Sequence, residues 1–345
     1  MLGLKMSAGA VLAAVLGAGL CTSAYAQGSS GSPTMDAIRH RGTLKCGTDV
    51  DQAGFGAPDS KGVYRGLDAD TCRAVAAALL GDANKVQFVP LTTENRFTAL
   101  QSGEVDMLAR ETTWTLKREA DLGLEFTGIT YYDGTGFLVK KSAGVTDAKQ
   151  LDGATVCVQP GTSTELADAD FFRANHMKFT PVEIENLDEI QHAFMSGRCD
   201  AFSNDSSALA AFRYEQGAHA KELVLLPNLI SKEPLGPAVR KGDDKWFDLV
   251  RWTLFAMLTA EENGVTSKNI DSFANTTNPD IRRLLGQEGN LGKALGVDNK
   301  WAYNVIKQVG NFGEVWDNDI TPLGVPRGIN NLWTKGGLQY APPML

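Results

Sequence analysis

The chain of 345 residues sets 33 Lys and Arg against 41 Asp and Glu, a net charge of −8, and 43% of it is hydrophobic. No run of basic residues offers a track for phosphates, so nucleic acid is not an expected partner. The length exceeds what one compact α/β lobe usually needs, and two lobes are expected.

Residues 1–26 read as a secretory signal. Lys5 is the only charge, an apolar run spans Ala8 to Leu20, and Ala24-Tyr25-Ala26 puts small residues at the two positions a signal peptidase reads. That run is short for a bilayer span, and Leu20 before Cys21 does not suit a lipoprotein site. Cleavage after Ala26 and a periplasmic location are expected. A Gly/Ser-rich leader follows over 27–35.

Order is expected from there on. Thr43 to Gly47 reads as a strand, and a Gly-rich loop runs through Phe55 and Pro58. Gly66-Leu-Asp-Ala-Asp70 opens a helix with acidic residues at its start, apolar Val75, Leu79 and Leu80, and Gly81 at its end. Lys85 to Leu91 is the next strand. Arg96 to Ser102 has helical spacing, Gly103 closes it, and Val105 to Ala109 suits a buried strand.

The phrase then recurs. Ala99, Ser102, Gly103 and Asp106 are echoed in frame by Ala193, Ser196, Gly197 and Asp200, with a helix over 188–196 and a strand over Cys199 to Ser203. Helix, glycine, buried strand and polar loop make half of a βαβ crossover, seen twice, and ligands of open α/β sheets bind at such strand ends. Between the copies, Gly136 to Lys140 and, later, Leu235 to Lys241 are the expected crossings between lobes. Residues 243–262 form an amphipathic helix. The C-terminal third, dense in Gly, is expected to wrap the first lobe with short helices such as 280–285 and 298–308.

Three places carry chemistry. After the first copy, Thr113 and Arg118 follow a buried strand, where a hydroxyl and a guanidinium can grip a carboxylate; alternatively Arg118 is a solvated charge beside Lys117. Thr162 and Ser163 open a helix after the strand Thr155 to Gln159, as an anion seat or a plain N-cap, and no Gly-Lys-Ser/Thr makes it a phosphate loop. Asp205 ends the second copy's strand, placed to accept from an ammonium or to cap the helix from Ser206. A carboxylate grip facing an ammonium grip has the shape of an α-amino acid. Cys46, Cys72, Cys157 and Cys199 remain after cleavage and are expected to pair in an oxidising compartment, three pairings being open. Neither a CxxC nor clustered His is present, so no metal or cofactor is expected, and no catalytic triad frame exists.

With RFTALQSGEVDML, TTWTLKRE, ATVCVQPGTSTEL, GRCDAFSNDSSAL, ISKEPLGPAVRKGDDKWFD, NPDIRRLLG and LWTKGGLQYAPP, the chain resembles the periplasmic solute-binding proteins of polar amino acid ABC transporters, extracellular family 3. Within it, the general L-amino-acid-binding subgroup is the most similar, over essentially the whole mature chain. The resemblance implies an α/β, type II two-lobed binding-protein fold. Each lobe would be a mostly parallel sheet flanked by helices, with residues 36–139 and 238–345 in lobe 1 and 140–237 in lobe 2.

It also implies that Arg118 and Thr113 hold the ligand α-carboxylate with Ser163 and the backbone near Thr162, and that Asp205 takes the α-ammonium with the main chain at Glu111. Arg96 matches a position from which glutamate- and aspartate-binding relatives reach a side-chain carboxylate. Arg110 stands where smaller relatives have Ser or Gly, and Gln52 replaces an aromatic that covers cationic ligands. One disulfide per lobe is implied, Cys46 with Cys72 and Cys157 with Cys199. The expected partners are a free L-amino acid, with Glu, Gln, Asp and Asn in its range, and an inner-membrane permease; the expected state is a monomer without enzymatic activity. The alternative is a periplasmic dehydratase of arogenate or prephenate on the same fold, with Glu111 as its general acid. A sensor domain is disfavoured, since no membrane anchor follows.

Overall fold

A computed structural model describes residues 31–345; the expected signal and its cleavage site lie outside the described residues. The chain begins with α1 (Pro33–Arg41), β1 (Leu44–Thr48), a hairpin of β2 (Ala57–Pro58) and β3 (Tyr64–Arg65), α2 (Leu67–Leu80), β4 (Val86–Pro90), α3 (Arg96–Ser102), β5 (Met107–Leu108), α4 (Leu116–Ala120) and β6 (Leu124–Phe126). It continues through β7 (Tyr131–Asp133), β8 (Thr135–Lys140), β9 (Ala154–Val158), α5 (Ser163–Ala174), β10 (Phe179–Glu183), α6 (Leu187–Ser196), β11 (Ala201–Asp205), α7 (Ser206–Glu215) and β12 (Leu223–Leu225). After β13 (Glu233–Leu235) and β14 (Ala238–Arg240) come the long α8 (Asp244–Glu262) and four short helices, α9 (Pro279–Leu284), α10 (Leu291–Leu295), α11 (Trp301–Gln308) and α12 (Phe312–Asp319). Among the described residues no helix is long and apolar enough to cross a membrane.

Two five-stranded sheets organise the molecule, ordered β4-β1-β5-β14-β6 and β10-β9-β11-β8-β12. In each, three parallel strands from successive crossovers are followed by an antiparallel strand that comes directly after a passage between lobes, β14 after β13 and β8 after β7. This is the two-lobed α/β architecture of periplasmic binding proteins.

Two boundaries differ from expectation. β8 is an interior strand of the second sheet, hydrogen-bonded on both sides and buried along most of its length, so residues 136–140 are not a crossing and the second sheet begins before residue 140. The crossings are the neighbouring segments that hold β7 and β13, paired antiparallel with Asp133 opposite Glu233. They approach so closely that a Cβ on Gly236 would meet the carbonyl oxygen of Gly128 at 1.9 Å, which only glycine allows. At the other end, the expected leader already turns into α1 at Pro33: the Ser32 hydroxyl caps it by accepting from the Met35 amide, and Met35 and Ile38 are fully buried. Helix formation there is driven by long-range burial, which a Gly/Ser composition conceals.

The repeated phrase has one job in both lobes. Gly103 and Gly197 end their helices in the left-handed region, at φ 81° and 85°. Ser102 and Ser196 return their hydroxyls to the carbonyls of Ala99 and Ala193. Asp106 then accepts from the Lys45 amide at 2.7 Å, and Asp200 from the Thr155 amide at 2.8 Å, each at the start of the adjoining first strand. The aspartate thus fixes the register of two parallel strands whose far ends open on the cleft between lobes. Disulfides Cys46–Cys72 and Cys157–Cys199 tie the same regions within each lobe. The C-terminal helices pack on α2 and α8, burying Trp246, Trp301 and Trp316.

Candidate ligand-binding site

Strand ends and helix starts from both lobes line one cavity of about 30 Å³, with Arg96, Arg110, Glu111, Thr113 and Arg118 from one side and Thr162, Ser163 and Asp205 from the other. Gln52 lies there too, 5% exposed. All nine residues expected at the site are therefore gathered. The lobes touch across it, the Thr113 and Ser163 hydroxyls standing 3.0 Å apart.

On the first lobe, Arg118 sits in the first turn of α4, where the Thr115 hydroxyl accepts from its amide. It is 7% exposed and donates to the Thr113 carbonyl at 2.7 Å, so it is not a solvated surface charge. Its guanidinium lies 5.1 Å from the centre of the Phe97 ring, and that of Arg96 lies 4.8 Å from the same ring. Arg96 is 3% exposed and its Nε has no hydrogen-bond partner. Burial holds both guanidiniums below their ordinary pKa, Arg96 far below, with neighbouring Arg110 adding to the effect. Arg110 is more fully engaged: it donates to the Leu91 carbonyl at 2.8 Å and meets Asp49 at 3.3 Å.

Glu111 has a positive φ of 35°, and its amide donates to the buried Asp68 carboxylate at 2.7 Å. Holding a non-glycine residue in that conformation needs such an anchor, and it turns the residue into the cavity. Glu111 Oε1 has no partner. Burial, then Asp49 and Asp205, push the Glu111 carboxyl well above its ordinary range; burial likewise pushes Asp68 up to about 7.

The second lobe supplies the N-terminus of α5 and the end of β11. The Thr162 hydroxyl accepts from the Glu165 amide at 3.1 Å and donates to the Gln159 carbonyl, so its side chain is occupied as an N-cap while Ser163 faces the cleft. Asp205 is 7% exposed, does not cap α7, and has an Oδ1 without a partner. Asp133 performs that capping role, accepting from the Ser207 amide at 3.1 Å. Burial, with Asp133 and Glu233 nearby, pushes the Asp205 carboxyl well above its ordinary range, against the opposing pull of Arg118 and Arg96.

Asp49, Thr93, Gln159 and Asn204 also line the cavity and were not singled out from the sequence. Asp49 directly follows β1, so the rule that ligands meet strand carboxyl ends could have found it. Among the described residues, no cluster of His, Cys, Asp and Glu suits a metal ion. The lining is mixed in charge: on the first lobe buried guanidiniums, that of Arg96 with an unpartnered Nε, stand beside the Glu111 and Asp49 carboxylates, and on the second stands the buried Asp205 carboxylate with an unpartnered Oδ1. A ligand carrying both charges would meet both signs at once.

The sequence profile of the bacterial extracellular solute-binding proteins, family 3, matches residues 44–270. The glutamate/glutamine/aspartate/asparagine-binding protein BztA of Rhodobacter capsulatus is 52% identical over 324 residues, covering 93% of this chain and 96% of the relative. The general L-amino acid-binding periplasmic protein AapJ of Rhizobium johnstonii is 47% identical over 345 residues, covering 99% of each. Among solved structures, a periplasmic binding protein of an ABC transporter from Brucella ovis, with glutathione bound, superposes with a TM-score of 0.88 at 49% identity, covering 90% of this chain and 99% of that one.

Proposed function

The chain belongs to the bacterial extracellular solute-binding proteins of family 3, and from that premise we propose that it is the periplasmic receptor of an amino acid ABC transporter. It closes on a free L-amino acid, with Glu, Gln, Asp and Asn in its range, and delivers it to a membrane permease. The relatives at about half identity are named as binding proteins, which supports transport over the dehydratase alternative.

The observation that carries this reading is the pair of buried, unpartnered polar atoms facing one cavity from opposite lobes, Arg96 Nε and Asp205 Oδ1. Leaving such groups unpaired is costly, and an amino acid whose side chain carries an oxygen acceptor relieves both, its ammonium at Asp205 and its side chain at Arg96. In the proposed pose Arg118, Thr113 and Ser163 hold the α-carboxylate, aided by the α5 N-terminus at Thr162. Asp205 and the Glu111 main chain take the α-ammonium. Arg96, with Arg110 behind it, addresses an oxygen acceptor on the ligand side chain. Gln52 stacks less well than an aromatic would, which disfavours cationic side chains. Contacts from both lobes make binding tighter in the closed form, and that difference drives closure. We assign export to cleavage after Ala26, and a monomeric state.

A thermal-shift screen against the twenty amino acids and glutathione tests the reading. Glu, Gln, Asp and Asn are expected to raise the melting temperature, since a ligand at a hundred times its Kd adds about 2.7 kcal/mol. No shift from any amino acid, or formation of phenylalanine from arogenate, would overturn it.

A further inference from the structure

From four hydrogen-bonding groups that meet across the cleft at the rim of the cavity, we infer that Glu185, which does not itself line it, is a positioning residue that latches the closed form and sets the rate of ligand release. This rests on the amino-acid-binding reading above and concerns a residue that reading does not use. Glu185 lies in the second lobe between β10 and α6, two residues past the strand end. Its Oε2 accepts from the Thr93 hydroxyl of the first lobe at 2.6 Å, and its Oε1 accepts from the Glu94 amide at 3.2 Å. The same Thr93 hydroxyl stands 3.1 Å from the Pro160 carbonyl, so two loops of the second lobe converge on one threonine that is 3% exposed.

Both sides of the latch are braced by further hydrogen bonds. Gln159, which lines the cavity, donates from Nε2 to the Glu185 carbonyl at 2.8 Å. On the first lobe, Thr92 and Asn95 bond each other reciprocally, the Thr92 amide to Asn95 Oδ1 at 2.9 Å and the Asn95 amide to Thr92 Oγ1 at 3.3 Å. That turn leads directly into α3, whose first residue is Arg96. A carboxylate here meets the amides and hydroxyls that precede a helix, an arrangement that suits negative charge. Burial raises the Glu185 carboxyl, but hydrogen bonds from Thr93, Thr92 and the Glu94 amide outweigh it and leave the group below its ordinary pKa. The latch is therefore ionised at neutral pH.

These bonds exist only while the lobes are together, because each joins residues 67 to 92 positions apart in different lobes. They contribute nothing to the open form, where the same groups are hydrated. The latch therefore acts on the opening step, from which bound ligand leaves, and not on the first encounter.

The test is stopped-flow association and dissociation of whichever amino acid binds the wild type most tightly, with E185Q, which removes the charge, and E185A, which removes the latch side chain; Glu185 does not line the cavity. Each variant is expected to release ligand roughly tenfold faster or more, by the usual worth of a hydrogen bond to a charged group. Association should stay within about twofold of wild type in both variants, because neither touches the cavity wall. The ligand-free melting temperature should be unchanged, which separates a latch from a folding defect. Wild-type release rates in both variants overturn the latch alone. Failure of the wild type to bind any amino acid overturns the amino-acid reading and the latch with it.

Discussion

At the scale of single residues, the site is built from groups whose burial moves their pKa away from the ordinary range, Glu111 and Asp205 upward and Arg96 and Arg118 downward. Asp168 shows the same device outside the cleft. It is fully buried in α5, one oxygen accepts from the Ser203 hydroxyl at 2.8 Å, the other has no partner, and burial pushes the carboxyl up to about 7. A folded-state pKa above the unfolded value means that the native protein binds more protons between about pH 4 and 7, so stability is highest below that window and declines as pH rises through it. Asp168→Asn keeps an oxygen for Ser203 without the charge. It is expected to melt higher than wild type at pH 8 and close to it at pH 4, and identical melting curves at pH 8 would show that the buried charge is harmless. Some residues were legible from the sequence and others were not, for a physical reason. Asp205 and Arg118 follow strands whose glycine-closed helices mark them locally, so their places could be read. The pairing of Asp49 with Arg110, the capping of α7 by Asp133, and the approach of Glu185 to Thr93 join residues far apart in sequence and leave no periodic trace.

At the scale of elements, the hinge is held by more than its own two strands. The edge of β7 not paired with β13 is met by the C-terminal segment: the Tyr132 amide donates to Asn330 Oδ1 at 2.7 Å, and Asn330 Nδ2 donates to the Tyr132 carbonyl at 3.0 Å. Gln339 adds a bond to the Ile129 carbonyl at 3.2 Å. One side chain thus imitates a neighbouring strand for a residue of the crossing. Asn330 is 4% exposed, and Asn330→Ala should lower the unfolding free energy by about 1–3 kcal/mol and speed hydrogen exchange at the Tyr132 amide. Unchanged exchange there would mean that the C-terminal segment only decorates the hinge. The existence of these short helices was legible in their glycines and the Asn278-Pro turn, yet their role at the hinge was hidden. Nor could the pattern distinguish β8, a strand buried inside the second sheet, from a crossing, because an apolar run with glycine suits either.

At the scale of the whole molecule, two similarly ordered sheets bring opposite charges to a common seam, and the C-terminal helices thicken only the first lobe. The first lobe presents guanidiniums beside Glu111 and Asp49, the second the Asp205 carboxylate, and the Thr113 and Ser163 hydroxyls meet between them. In the proposed pose, the guanidiniums of the first lobe and Asp205 of the second would orient a zwitterion and make closure depend on it. The central claim is that the ligand ammonium is held by Asp205, and calorimetric titration of L-glutamate into wild type and Asp205→Ala tests it most directly. Wild type should bind one glutamate per chain, and the substitution should weaken binding by roughly 2–5 kcal/mol, as for a truncated buried charge pair. Equal affinity in the two proteins would contradict the account.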